Sequence, residues 1–218
     1  MKQYILDFKK SCDNWNSQAS PNNIQFIFNN SLNNINKNEI KCILVADNPG
    51  TTEKEKEEYL VGDSGLVTRL FFDKFIVDDF DKQVLVLNKT PISTPTTKQL
   101  EKLHITKCNA FINSQRYMAN LIFNLSVELK CPTIIMGFSG CRTNGKWPLT
   151  TNAKKAVGLE FFKQLKVNYE NHKEFLYIIK HFSRNSFFDD FKIEHYRNEA
   201  NKYFFELGAK YRNELFNS

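Results

Sequence analysis

The sequence predicts an α/β fold in which helices cover both faces of one parallel β-sheet. Four short runs rich in Val, Ile and Leu have the continuous hydrophobicity of inner parallel strands. These runs alternate with longer segments of helical periodicity, which is the pattern of strand–helix–strand units. No internal repeat or linker divides the 218 residues, so we expect one domain spanning residues 1–218.

The predicted elements follow one another along the chain as strand and helix in turn. An amphipathic helix at residues 3–18 and an irregular, Asn-rich segment at 23–35 precede the first strand. The stretch 51–58 is interpreted as a solvated loop, because most of its residues are Glu or Lys. The predicted strands cover residues 41–46, 83–88, 133–136 and 175–180, and the helices between and after them cover 65–75, 97–103, 110–129, 152–165 and 188–215.

The first strand ends in a sharp turn, Asp47-Asn48-Pro49-Gly50, which places polar side chains beyond its carboxyl end. Pro cannot continue a ladder of hydrogen bonds, and Gly tolerates backbone angles that other residues avoid. Ligands of open α/β sheets bind just beyond the carboxyl ends of the strands. Asp47 and Asn48 are therefore candidate ligand-binding residues, although Asn-Pro-Gly is also an ordinary turn sequence.

The composition favours a globular protein with a polyanionic partner. The chain is 41% hydrophobic and 25% charged, which excludes disorder, and its net charge of +6 suits nucleic acid. The five cysteines are odd in number and none has C-x-x-C spacing, so we interpret them as reduced thiols. The N-terminus lacks the apolar core of a signal peptide and no run is long enough to cross a bilayer, so we expect a cytoplasmic protein without membrane contact.

Four segments, each at or near the end of an apolar run, resemble motifs of the uracil-DNA glycosylase superfamily. Residues 46–50, Ala-Asp-Asn-Pro-Gly, are similar to its first motif. Residues 60–65, Leu-Val-Gly-Asp-Ser-Gly, resemble the Phe-Val-Gly-x-Ser-Gly segment of its thermostable iron–sulfur branch. Residues 84–89 resemble its second strand, whose terminal Asn reads the base, and residues 178–183 resemble its last motif, usually His-Pro-Ser. The four segments occur in the right order over about residues 41–190.

The resemblance implies a three-layer α/β/α sandwich with a central four-stranded parallel sheet. It also implies that the protein hydrolyses the bond between a base and its deoxyribose in DNA. The iron–sulfur branch needs four cysteines, one of them shortly after the base-reading Asn, whereas here Asn88 is followed by Lys89, Thr90 and Pro91. We therefore expect no cluster, no metal and no other cofactor, and a monomer whose partner is DNA.

The same resemblance implies roles for particular side chains. Asn48 would orient the attacking water, with Asp47 as a rival that can also accept a proton. Asn88 carries a donor and an acceptor and would bind the Watson–Crick edge of a flipped uracil. A neutral His181 would donate to the uracil O2 as negative charge develops there. Three of these residues have a structural alternative: Asn48 could simply form the turn, Asn88 could terminate its strand, and His181 could be a partly buried structural residue.

Further positions around the site are expected to contact the base or the DNA. Leu60, with Tyr59 beside it, stands where the motif has a Phe that stacks on the base. In the loop after the last strand, Ser183 and Arg184 would contact the DNA backbone. Phe187 would fill the space that a flipped base leaves, or would pack in the core instead.

Two departures from the motifs keep a second hypothesis open: Leu60 replaces the stacking Phe, and Phe182 stands where Pro usually follows His. The leading hypothesis is a monofunctional DNA glycosylase that removes uracil or a related deaminated base in base excision repair. The alternative is a non-catalytic nucleic-acid-binding protein of the same fold. A third interpretation is an unrelated α/β protein whose Asn-Pro-Gly loop binds a nucleotide phosphate, but the sequence has no Gly-rich Walker or dinucleotide fingerprint.

Overall fold

Four parallel strands form the central sheet, as the sequence predicts. The computed structural model describes residues 1–18, 24–138, 141, 147, 157–183, 186–192 and 199–217. Its strands are β1 (Gln25–Phe26), β2 (Cys42–Ala46), β3 (Val84–Asn88), β4 (Ile92–Ser93), β5 (Thr133–Met136) and β6 (Leu176–Ile179). The central sheet has the order β3-β2-β5-β6, whereas β1 and β4 pair apart from it as a short antiparallel ribbon.

Helices connect these strands along the described part of the chain. They are α1 (Lys2–Gln18), α2 (Thr51–Lys56), α3 (Asp63–Phe75), α4 (Phe80–Gln83), α5 (Thr97–Ile105), α6 (Asn109–Leu129), α7 (Leu159–Asn168) and α8 (Ala200–Phe216). Short 3₁₀ turns occur at Asn30–Asn34 and Lys173–Phe175.

The main helices form two layers on opposite faces of the sheet, which confirms the three-layer sandwich. Ile134 and Tyr177 are register partners and so point to one face, where a Cβ added to Gly208 of α8 would lie 2.9 Å from the Tyr177 Cβ. Thr133 points to the other face, where its hydroxyl hydrogen-bonds that of Tyr169, at the end of α7, at 2.7 Å. Helix α6 packs with α7, and phenylalanine rings of α3 pack against those of α8.

Some local predictions are wrong. The charged stretch 51–58 is not simply a loop, because α2 occupies Thr51–Lys56. The final helix begins at Ala200 rather than near residue 188, since residues 187–190 form turns; residues 193–198 lie outside the described residues. The helix expected over 152–165 is seen from Leu159 to Asn168, and residues 148–156 also lie outside the described residues.

The strand order fixes where a ligand is expected. The chain runs from β2 to β3 on one side and then crosses to β5 on the other side of β2. In open sheets of this order, ligands bind beyond the carboxyl ends of the strands at this topological switch point. Asp47 directly follows β2 and Gly137 directly follows β5, so they mark the expected site.

Candidate active site

Residues that follow the four central strands meet at the carboxyl edge of the sheet. Asp47 follows β2, Lys89 follows β3, Gly137 follows β5 and His181 lies two residues after β6. Gly137 has a φ of +77°, and a Cβ there would lie 3.2 Å from Asp47 Oδ1 and 3.4 Å from the His181 Cβ. Because glycine carries no Cβ, Asp47 and His181 can both pack closely against this residue.

A cleft of about 240 Å³ at this edge brings together several of the residues that the sequence singles out. It is smaller than the ~300–1,000 Å³ pockets of drug-sized ligands, so its size suits a small ligand. The predicted site residues in its lining are Asp47, Asn48, Leu60, His181 and Ser183; the others are Ala46, Gly50, Glu53, Ser64, Thr94, Pro95 and Thr96.

Asn48 holds the turn and leaves an acceptor for a ligand. Its Nδ2 donates to the carbonyls of Pro49 at 3.1 Å and Ile92 at 3.4 Å, and to the Thr94 hydroxyl at 3.0 Å. Its Oδ1 accepts no hydrogen bond from the described residues. The amide therefore has a fixed orientation, and its oxygen is the atom that can accept a proton of a bound water.

Asn88 is a buried polar side chain beside the cleft, although it is not among the residues that line the cleft. It is fully buried, and neither its Nδ2 nor its Oδ1 has a hydrogen-bond partner among the described residues. Asn88 is the register partner of Ala46, so the two side chains point to the same face, and Ala46 lines the cleft. Buried amides are nearly always hydrogen-bonded in folded proteins, so the unpaired amide indicates a position where a ligand or water binds.

His181 is set up as a neutral donor. Its Nδ1 accepts a hydrogen bond from the Ser183 N–H at 3.0 Å, which places the imidazole proton on Nε2. Burial lowers the pKa of His181 and Lys89 lowers it further, while Asp47 raises it; the pKa lies below its ordinary value. The imidazole is therefore neutral near pH 7, with Nε2–H available to a ligand.

Asp47 is ionised because it pairs with a buried lysine. Its carboxylate accepts a hydrogen bond from Lys89 Nζ, and the Asp47 side chain is 30% exposed. Burial alone would raise the pKa of Asp47, but the Lys89 ammonium, His181 and the hydrogen bond from Lys89 together bring it below the ordinary value. Lys89 was not among the residues that the sequence analysis singled out.

Leu60 forms a wall of the cleft through an unusual backbone conformation. It is only 3% exposed and has a φ of +59°, in the left-handed region that non-glycine residues rarely occupy. A Cβ added to Gly65 at the start of α3 would lie 2.0 Å from the Leu60 carbonyl oxygen, so only glycine permits this approach. Tyr59 points elsewhere: it is 1% exposed and its hydroxyl donates to the carbonyl of Ile27.

Glu53 is a second site residue that sequence reasoning missed, since it was assigned to a solvated loop. Its carboxylate accepts backbone N–H groups of Gly50, Leu60 and Val61, and thereby ties α2 to the segment that carries Leu60. Burial raises the pKa of Glu53 and these hydrogen bonds lower it; the effect of burial is larger, so the pKa lies above its ordinary value. Because Glu53 also lines the cleft, this anchoring shapes both the turn after β2 and the wall that contains Leu60.

The loop after β6 divides into an exposed part and a buried part. Ser183 is exposed and lines the cleft. Phe187 is fully buried, and its ring stacks on that of Phe182 with centroids 4.2 Å apart, in a cluster that includes Phe71 of α3. Arg184 lies outside the described residues, so its predicted phosphate contact stays a prediction.

A second cavity, of about 120 Å³, lies on the other side of the Asp47–Lys89 pair. Gln115 of α6 and Phe162 of α7 line it, which places it on the face opposite α3. Asp47 lines both spaces, and Lys89 Nζ lies 5.7 Å from the centroid of the Phe162 ring. The ion pair therefore separates the cleft from the second cavity.

Cysteine thiols and clusters of His, Cys, Asp and Glu are two further kinds of group that could carry chemistry in the described part of the chain. Burial raises the pKa of Cys131 and of Cys141 to about 12, so these thiols stay protonated. In the part of the chain that the structure describes, no cluster of His, Cys, Asp and Glu has the arrangement of a metal site. None of the described helices is both long and apolar enough to span a bilayer.

In comparisons with known proteins, no protein-family model matches the chain and no curated protein matches it. The resemblance to uracil-DNA glycosylases therefore rests on the four motif segments, three of which contribute side chains to the cleft.

Proposed function

We propose that this protein is a monofunctional DNA glycosylase that hydrolyses the N-glycosylic bond of uracil or a related deaminated base. The observation that carries the proposal is Asn88, a fully buried amide without a partner among the described residues. An unpaired buried amide costs about 1–3 kcal/mol, which a ligand with a matching donor and acceptor recovers. The N3–H and O4 of uracil form such a pair on one edge of a flat base.

The departing base is the group that His181 would stabilise. When the bond between the base nitrogen and the sugar C1′ breaks, both electrons leave with the base, and negative charge builds up on its O2. The His181 Nε2–H is the proton available at the cleft, because Nδ1 already accepts from Ser183. A neutral donor placed where charge develops stabilises the transition state more than the ground state.

Asn48 and Asp47 would act on the sugar side of the same bond. The Asn48 oxygen orients a water towards C1′. The amide itself is held in place because its two Nδ2 protons are shared among three acceptors, the carbonyls of Pro49 and Ile92 and the Thr94 hydroxyl. The negative charge of the Asp47 carboxylate stabilises the positive charge that develops on the sugar. The water oxygen then bonds to C1′, and the proton that it loses neutralises the departed base.

A groove that continues from the cleft suits a nucleic-acid strand. Thr94 and Pro95 line both the cleft and this groove, whose volume is about 410 Å³. Lys54 of α2 and Lys102 of α5 contribute to the groove, and its described lining contains no carboxylate. Lysines at such positions neutralise backbone phosphates and so favour DNA over a free base as the substrate.

Release of free base from labelled oligonucleotides tests the proposal. Single- and double-stranded substrates would carry uracil, hypoxanthine or xanthine, and alkali would cleave the abasic products. We expect release by the wild type, a loss of about 10²–10³-fold in His181→Ala, as for removal of one oxyanion donor, and a strong loss in Asn88→Ala. Asn124→Ala, an exposed Asn of α6, is the matched control. Wild-type rates in both site variants would refute the assignment.

A non-catalytic nucleic-acid-binding protein of the same fold is the second candidate, and the wall of the cleft favours it. Leu60 lines the cleft while the Tyr59 ring is buried away from it, so the described lining offers no Phe, Tyr or Trp ring for a base to stack on. This candidate predicts salt-dependent DNA binding without release of any of the three bases. In that outcome, Leu60→Phe is the first variant to assay for a gain of base release.

A further inference from the structure

Lys89 is buried at the centre of the site. Its side chain is 5% exposed, and it points away from Asn88, towards α6 and α7, because successive strand residues alternate between faces. Its Nζ donates to the Asp47 carboxylate, to the Met136 carbonyl at 2.6 Å and to the Gly137 carbonyl at 2.7 Å. An ammonium group has three protons, so each one has an acceptor.

These contacts connect the ends of β3, β2 and β5 beyond the point where the regular pairing of these strands stops. The register between β2 and β3 ends at Ala46, whose carbonyl still accepts from the Lys89 N–H at 2.9 Å. The register between β2 and β5 ends one residue earlier, at Val45 and Ile135. Past that point, the Lys89 side chain supplies the hydrogen bonds that join the residue after β2 to the residues that end and follow β5.

The Gly137 contact extends this influence to His181. Gly137 is the residue against which Asp47 and His181 both pack, and its N–H donates to the Ile179 carbonyl of β6 at 2.8 Å. Its φ of +77° aims the carbonyl at Lys89. Moving Gly137 would therefore move its contacts with Asp47 and His181 together, and the Lys89 side chain helps to hold Gly137 in place.

The charges of the site support the same conclusion. Asp47 and Lys89 are the charged groups that shift the pKa of His181, in opposite directions. The other carboxylate in the cleft lining is Glu53, whose oxygens are occupied by backbone N–H groups. On its own segment, His181 follows Lys180, which pairs with Asp190 at 2.8 Å. Of these charged groups, Asp47 and Lys89 are therefore the two that act on the imidazole of His181.

We propose that Lys89 is a positioning residue of this site: it holds the Asp47 carboxylate against Gly137 and thereby fixes the location and the charge environment of His181. The geometric part of this inference concerns the protein alone. The consequence for base release rests on the proposed glycosylase function, in which Asp47 and His181 act on opposite sides of the breaking bond.

The arrangement also argues against a covalent role for Lys89. A lysine attacks a sugar aldehyde through a neutral amine with a free lone pair. Lys89 instead uses all three of its protons on acceptors and its side chain is 5% exposed. Lys89 is therefore not expected to form a covalent intermediate with the sugar of an abasic site.

Titration of His181 by NMR in the full chain tests the geometric part without any substrate. Lys89→Met removes the charge and keeps an apolar stem of similar length. We expect the imidazole to titrate at a higher pH than in the wild type, because the opposing ammonium is gone. Asp47→Asn should titrate at a lower pH, because the favourable carboxylate is gone. Lys89→Arg, which keeps the charge, should stay closer to the wild type than Lys89→Met.

If a single variant does not fold, a double variant still tests the inference. The double variant Asp47→Asn with Lys89→Met removes both charges at once, which buried ion pairs tolerate better than the loss of one partner. Its titration can then be compared with those of the wild type and Asp47→Asn. The double variant should titrate at a higher pH than Asp47→Asn, because the two differ only in the ammonium group. Equal His181 titrations in these two variants, or in the wild type and Lys89→Met, would overturn the proposal.

Two activity measurements separate this inference from the proposed function. If base is released, Lys89→Met should lower kcat about 10–100-fold with little change in KM, because misplacement of catalytic groups acts on the chemical step. Borohydride should trap no covalent complex with abasic DNA, and a trapped complex that disappears in Lys89→Met would make Lys89 a nucleophile and overturn the proposal. If no base is released but the titrations shift as expected, the proposed function fails and the positioning role of Lys89 stands.

Discussion

Asn88 and Lys89 are neighbours in the chain and both are buried, yet the hydrogen bonding of their side chains is opposite. Lys89 faces α6 and α7, and all three of its ammonium protons have acceptors. Asn88 faces the α3 side, and its amide has no partner among the described residues. At this edge of the sheet, the buried polar side chain on the α6 and α7 face is fully hydrogen-bonded, whereas the one on the α3 face is unpaired among the described residues.

The difference teaches how to separate a structural polar group from a ligand-binding one. Removing one partner of a fully hydrogen-bonded buried pair is costly, because the other partner is left buried and unpaired. A buried polar side chain with no bond made lowers stability, so its presence needs another explanation, such as a ligand. The predictions below test whether stability and activity divide between the two faces in this way.

The largest expected effect is on the Lys89 side. Lys89→Ala should lower the free energy of unfolding by about 3 kcal/mol, the lower end of the range for a broken buried ion pair, because Asp47 keeps some contact with water. Urea denaturation measures the change. Lys82→Ala, which breaks the solvent-exposed pair of Lys82 with Asp79, is the control and should leave the urea midpoint unchanged. Equal midpoints for both variants would contradict the comparison.

An intermediate effect of opposite sign is expected on the Asn88 side. Asn88→Leu should raise the free energy of unfolding by about 1–2 kcal/mol, because it replaces an unpaired buried amide by an apolar group of similar size. The same variant should lose base release. Stability comes from urea denaturation and activity from the oligonucleotide assay.

Asn29 offers a matched control for that substitution. It is also fully buried, but its Nδ2 donates to the Val86 carbonyl at 3.0 Å and its Oδ1 accepts from the N–H groups of Ser31 and Tyr59. Asn29→Leu should therefore destabilise the protein. If Asn88→Leu destabilises as much as Asn29→Leu, the Asn88 amide is bound to something within the folded protein and the proposed role in base recognition fails.

The smallest effect concerns acid pH. The pKa of Asp47 is below its ordinary value in the folded protein, so the unfolded chain takes up the proton first as the pH falls. The stability that Asp47 contributes is therefore present above its unfolded pKa of about 4 and is lost as the pH falls through the lower folded value. The difference in urea midpoint between wild type and Asp47→Asn should shrink in that window. Asn88→Leu should keep the pH profile of the wild type.

The sheet could be predicted from the sequence because each inner strand is a continuous apolar run. The strand predicted over 83–88 is observed at Val84–Asn88, and the one predicted over 133–136 is observed at Thr133–Met136. Local composition was misleading where a distant contact decides the structure. Glu53 was assigned to a solvated charged loop, but three backbone N–H groups from two segments bury its carboxylate, which no count of charges reveals.

The candidate site was predicted in part for a similar reason. Asp47, Asn48 and His181 follow strand ends, and parallel strands bring their carboxyl ends to one edge. Lys89 was missed because the resemblance assigns a role to Asn88 but none to the last residue of the segment 84–89. A signal was present in the sequence: the residue after Asn88 must point to the opposite face, and a lysine directed into a helix layer requires a carboxylate nearby.

Phe182 gives the turn after His181 a dependence on temperature that proline would not. The motif that this segment resembles usually has Pro there, whose ring restricts φ covalently. Phe182 instead stacks on Phe187 and contacts Phe71, with ring centroids 4.2 and 5.3 Å away. Stabilisation by apolar burial weakens on cooling. We therefore expect the Ser183 N–H that orients the imidazole to be held less firmly as the temperature falls, because the rings that fix this turn form an apolar cluster outside the cleft.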